Sequence, residues 1–141
     1  MWEYAARAGE TAAFPNGGNL YSGDEYDCGG SLLLDNGELL DDIAWYCGNG
    51  VSRTHAVAGL EPNAWGLYDM SGNMWEWCHD RYGAYEGDAT DPAGLSSGSY
   101  RVFRGGDWYD GASFARVSYR AYYYPWHAYI NLGFRLLRSS P

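Results

Sequence analysis

Apolar residues in this chain come in short bursts separated by polar, glycine-rich stretches, a pattern of brief strands and turns rather than long helices. The first burst, Trp2 to Ala8, spaces Tyr4, Ala5 and Ala8 to share one helical face, with Gly9 as a natural left-handed stop. Ser31 to Leu34 predicts a short strand, continued by Leu39 and Leu40 after the Asp35-Asn36-Gly37 turn. Ile43 to Cys47 is a compact apolar run, and Gly66 to Met70 is one short element. Met74 to Cys78 alternates, which places Trp75 and Trp77 on one face of a strand and Glu76 on the other. Arg101 to Arg104, Ala115 to Tyr119 and Gly133 to Leu137 read as three further strands, the last with Phe134 and Leu136 on one face. Residues 10–42 and 81–100 are rich in turn residues and read as loops. The pattern predicts an α+β chain with short strands, little helix and much irregular loop.

Composition changes that picture in two ways. At 141 residues one domain is the natural count, and 20 glycines reinforce the turn-rich reading. A net charge of −9 argues against a nucleic-acid partner, whose phosphates call for basic patches, and against an anionic membrane surface. No segment is long and apolar enough to insert into a membrane. All 18 acids lie in residues 1–110, whereas 111–141 carry four arginines and no acid. Cys28, Cys47 and Cys78 are odd in number and form no CxxC, which argues against a disulfide framework and leaves room for one pair. His55, His79 and His127 lack the spacing of a metal site and read as structural. Asp24, Glu25, Asp27, Asp41 and Asp42 read as a solvated face; a calcium loop is the alternative, without the regular spacing of a helix-loop-helix site.

The last third breaks the pattern. Residues 107–132 hold nine aromatics in 26 positions, about twice the whole-chain share of 18%, and they neither alternate like a core strand nor read as a polar linker. Tyrosine offers a large contact area with few torsions to freeze, so such a stretch suits a recognition surface. Packing against the core or a dimer contact is the alternative.

Longer blocks of sequence carry a resemblance. WEYAARAG at 2–9, PNAWGLYDMSGNMWEWC at 62–78, DPAG at 91–94, RVFRGGDW at 101–108, ARVSYR at 115–120 and GFRLLRS at 133–139 occur in that order. Together they resemble the formylglycine-generating enzyme (sulfatase-modifying factor) family, a variant of the C-type lectin fold. The resemblance covers nearly the whole chain, 1–141, and implies a single C-type lectin-like domain that lacks the usual amino-terminal strands and helix. In that family calcium can be held by the GN-x-WE region, here Asn73 and Glu76; no other cofactor is implied.

Two branches of the family differ in their chemistry. The oxidase branch holds copper on a pair of cysteines just after the RGG-x-W block, and the matching stretch here, Tyr109 to Ala115, has no cysteine. Soft monovalent copper wants thiolates, so that chemistry is not expected. The second branch comprises the variable proteins of diversity-generating retroelements, in which asparagine codons of the carboxy-terminal region are rewritten to a defined set that excludes Glu, Met and Trp. The resemblance implies a fixed frame of Arg104, Gly105, Gly106, Trp108, Ala112, Arg116, Tyr119, Arg120, Pro125, Gly133, Phe134 and Arg135. Between these lie candidate variable, ligand-contacting positions: Asp107, Tyr109, Asp110, Gly111, Ser113, Phe114, Tyr122, Tyr123, Tyr124, Trp126, His127, Tyr129, Ile130 and Asn131. All are in the permitted set except Trp126, which is either fixed frame or a departure from the rule. Arg116, Arg120 and Arg135 are expected to bond loop carbonyls from buried positions. The expectation is a non-catalytic ligand-binding protein with no catalytic residues, using 101–135 against a protein or glycan and displayed on a cell or phage surface. The alternatives are an enzyme of the sulfatase-modifying type or an inactive, structural relative.

Overall fold

The computed structural model describes residues 1–84 and 94–136. Among these described residues, one α-helix, six short strands and three single 3-10 turns are set in irregular chain, in keeping with the broken apolar pattern. Helix α1 spans Trp2–Arg7 and ends on Ala8, itself left-handed at φ 49°, one residue before the glycine expected to stop it. Its buried face also differs from the expectation. Trp2 and Ala6, one turn apart, pack toward Met70 and Val117, while Tyr4 is exposed and stacks edge-on with Trp65 at 4.9 Å.

Strands β1 (Ala44–Trp45) and β2 (Ser71–Gly72) pair in parallel. Gly72 must be a glycine: its φ is +75° and a Cβ there would meet the Trp45 carbonyl oxygen at 2.0 Å. The other four strands are β3 (Trp75–Arg81), β4 (Arg101–Arg104), β5 (Ala121–Tyr123) and β6 (Leu132–Phe134), in the order β5-β4-β3-β6. β4 is antiparallel to both neighbours, and β6 runs parallel to β3. The register sets Glu76 opposite Arg104 and Gly133, and Trp77 opposite Phe103 and Phe134.

Three sequence expectations about strands change. Ala115 to Tyr119 is not a strand; a 3-10 turn over Ala112–Ala115 gives way to a bend. Ala115 and Val117 are buried as strand alternation would have them, but Val117 N–H finds only the Ala13 carbonyl, at 3.0 Å, and no ladder forms. The run from Ser31 to Leu34 pairs with the chain after its turn only through the Leu33–Leu39 bridge. The final strand ends at Phe134, and Leu137 lies outside the described residues.

The main core gathers Phe14, Leu34, Leu40, Ala44, Tyr46 and Ala112 beneath the loops of the first half. Asp41 ties that half together, accepting the Leu32 N–H at 2.9 Å and the Tyr46 hydroxyl at 3.3 Å. A disulfide joins Cys28 to Cys47, with Cα atoms 5.0 Å apart, so one pair does form. It pins the loop carrying Tyr26, whose ring meets Phe114 edge-on at 5.9 Å. Among the described residues no helix is long and apolar enough to cross a membrane.

Candidate functional site

The pleat of the four-stranded sheet separates two kinds of chemistry. On one face, Glu76 is 8% exposed and its carboxylate accepts from Arg135 Nε and Nη2, the latter at 2.7 Å, and from Trp2 Nε1 at 2.7 Å. Burial opposes the Arg135 charge, but the Glu76 carboxylate more than offsets it. Arg104 on the same face donates to the carbonyls of Val117 and Tyr119 and pairs with Glu3 at 3.2 Å. Arg135 thus anchors mainly on a carboxylate, adding the Asp69 carbonyl at 3.1 Å, whereas Arg116 bonds the Ser113 carbonyl as expected. Arg120 lies over the Tyr82 ring.

The opposite face is aromatic. Trp75 and Trp77 flank Phe103 edge-on, at 5.1 and 5.4 Å between ring centres. Phe114, from the 112–115 turn, and Tyr119 meet at 4.9 Å and extend the wall. Together with Tyr123 and Tyr129 they surround a cavity of about 340 Å³, whose polar lining is Asp110 and Asn131.

Asp107 organises the polar edge of that cavity. It is 1% exposed; Oδ1 accepts the N–H groups of Tyr109 and Asp110, and Oδ2 accepts from the Asn131 amide. This local cap turns the chain so that the Asp110 carboxylate reaches Trp75 Nε1, at 3.0 Å. Burial, then the charge of Asp107, pushes the Asp110 carboxyl above its ordinary range.

At the rim the pleat divides the tyrosine triplet. Tyr123 shares the face of Phe103 and Ala121, lines the cavity and meets Tyr129 and His127 edge-on. Tyr122 pairs with Val102 on the other side and stacks on Tyr82 at 3.8 Å, while Tyr124 bonds the Tyr100 hydroxyl at 3.1 Å and stacks on Trp126. Even so, Tyr122 is 43% and Tyr123 38% exposed. Trp126, His127, Tyr129 and Ile130 continue the exposed rim, and Tyr109 is exposed on the preceding loop.

Of the residues singled out in the sequence, Asp110, Phe114, Tyr123, Tyr129 and Asn131 converge on the cavity. Trp126, His127 and Ile130 continue the exposed rim beside it, whereas Tyr122 and Tyr124 reach that rim against Tyr82 and Tyr100, with Tyr122 on the other side of the sheet. Asp107, Gly111 and Ser113 are buried and act from beneath the surface. Sequence reasoning left Trp75, Phe103 and Tyr119 out of the site, although the alternation of β3 already placed Trp75 on a shared face. Nothing in the sequence pointed to Tyr82 and Tyr100 as partners of the triplet.

Calcium at Asn73 and Glu76 does not fit. Asn73 spends its side chain on the main chain of His55, accepting at 2.9 Å and donating at 3.2 Å, and the Glu76 oxygens are taken by Arg135 and Trp2. His55 itself stacks on Trp45 at 3.7 Å. Among the described residues no group of three His, Cys, Asp or Glu side chains is placed to hold a metal. Nor is a thiolate pair on hand for copper: Cys28 and Cys47 are joined, and burial pushes the Cys78 thiol up to about 12.

Known proteins share this architecture. Residues 1–140 match the model of the sulfatase-modifying factor enzyme 1-like domain. The formylglycine-generating enzyme of Thermomonospora curvata is 34% identical over 148 residues, covering 95% of this chain and 46% of the relative. Among solved structures, Treponema denticola variable protein 1 superposes with a TM-score of 0.75 at 34% identity, covering 94% of this chain and 43% of its own. PvdO from Pseudomonas aeruginosa gives 0.69 at 29% identity, covering 94% and 48%. The chain thus spans just under half the length of these relatives. The family includes enzymes, and its architecture of short strands and long loops is the C-type lectin-like fold. By its match over 140 residues, the chain belongs to the sulfatase-modifying factor enzyme 1-like, formylglycine-generating enzyme family.

Proposed function

We propose that this chain is a non-catalytic ligand-binding module of the variable-protein type, in which residues 101–135 form a diversified contact surface on a fixed frame. The observation that carries the reading is the exposure of large aromatic and apolar side chains at the carboxy-terminal rim. Trp126 is 71%, Tyr129 47% and Ile130 84% exposed, a costly surface for solubility alone and a useful one for binding. The likeness to Treponema denticola variable protein 1 supports the same reading. The enzymatic alternative of the oxidase kind is disfavoured by the donor set, since Tyr109 to Ala115 offers no sulfur.

Sequencing the coding locus across many isolates tests the proposal. Substitutions concentrated at Tyr109, Tyr122, Tyr123, Tyr124, His127, Tyr129, Ile130 and Asn131, with Glu76, Arg104 and Arg135 constant, are expected. A carboxy-terminal region that varies no more than the rest would overturn it.

A further inference from the structure

We propose that the cavity beneath the rim receives a single cationic side chain, arginine or lysine, presented by a protein partner. The inference rests on the binding-module reading and names the chemistry of its ligand. Six aromatic rings, from Trp75, Phe103, Phe114, Tyr119, Tyr123 and Tyr129, line a volume of about 340 Å³, room for one side chain rather than a folded element. Ring faces attract cations through their quadrupoles, most strongly where water is excluded. The polar lining adds charge of the matching sign. Asp110 is half-buried on the wall, with the buried Asp107 carboxylate behind it. Among the described residues no ion pair engages either carboxylate, and no basic residue lines the cavity.

Two adjacent acids with donors but no counter-ion leave a net negative site. The donors they do have, Trp75 Nε1, the Asn131 amide and two main-chain N–H groups, fix the carboxylates without neutralising them. The raised Asp110 pKa fits this account, because an incoming cation relieves the cost that raises it. An apolar stem would lie along Phe103 and Leu132, with the charged head toward Asp110.

The test uses the intact protein and small probes. Nα-acetyl-arginine methylamide is titrated in while the Trp75 indole N–H resonance is followed, and the citrulline counterpart, neutral and nearly isosteric, is titrated in parallel. A saturable shift with arginine, at least about tenfold weaker with citrulline and weakened about tenfold by Asp110→Asn, is expected. The asparagine oxygen can still accept from Trp75, and the wild-type arginine–citrulline comparison needs no variant to fold. Equal binding of citrulline, indifference to Asp110→Asn in folded protein, no saturable shift with arginine or its lysine analogue, or preferential binding of a monosaccharide such as N-acetylglucosamine would each overturn the proposal. None of these outcomes bears on where the locus varies, so the binding-module reading stands or falls separately.

Discussion

The two faces of the four-stranded sheet are built by different physics. On the Glu76 face, buried charge is satisfied by directional partners: Arg135, Trp2 and, across the strand, Arg104 with Glu3. Each of those bonds needs one atom in one place. On the Trp75 face, contacts are ring on ring at 4.9 to 6.4 Å, edge-on or tilted, and many side chains could satisfy them. The first face can hold a fold constant. In the proposed reading it is the exposed residues at the edge of the second, such as Tyr123 and Tyr129, that change.

The sharpest way to break that division is Arg135→Met. It leaves the Glu76 carboxylate buried with Trp2 as its remaining side-chain partner, and should cost about 4 kcal/mol in denaturant unfolding. A loss under about 1 kcal/mol would mean that the polar face is not the frame. Next in size is the disulfide. Closing a loop between positions 19 residues apart stabilises by about 3 kcal/mol, so Cys28→Ser with Cys47→Ser should lower the melting temperature by several degrees. Because Cys47 N–H also donates to the Asp110 carbonyl, the same variant should loosen the Trp75 indole resonance.

Asp110→Asn should act in the opposite sense. A carboxyl whose folded pKa is raised favours the folded state while protonated, and that contribution is lost as pH rises through the raised value. The variant should therefore melt above the wild type at neutral pH, and the two curves should converge in acid below the ordinary carboxylate range. Parallel curves would show that Asp110 is not strained by its surroundings. The smallest effect is expected at the rim. Trp126→Ala with Ile130→Ala should change stability by no more than about 0.5 kcal/mol, since both side chains stand mostly in solvent.

The strands were legible in the sequence where alternation was strong. β3 and β4 fall where Trp75-Glu76-Trp77 and Arg101 to Arg104 place them, and Glu76 lies opposite the tryptophans as the period of two requires. Ala115 to Tyr119 misled because burial at alternate positions needs only an extended chain, and the ladder partner that makes a strand is not local. The helix face misled because three alanines carry no directional signal; Trp2, packing on Met70, decides which side turns inward. The aromatic excess of 107–132 drew attention to residues that the structure gathers at the cavity and its edge. It could not show that the triplet divides between two sides of the sheet, because that depends on β5 pairing with β4 in one register. Nor could it show that Asp107 would be buried as a cap while Asp110, three residues on, faces the cavity.

In the proposed reading the rim is free to change while the Glu76 face is not. The most direct test of this is a pair of libraries, one randomising Tyr109, Tyr122, Tyr123, His127, Tyr129 and Ile130 and one randomising Trp2, Glu76, Arg104 and Arg135, each sorted for folded, protease-resistant chains. Most members of the first library are expected to survive and nearly all of the second to be lost. Comparable survival in both libraries, or wholesale loss in the first, would contradict it.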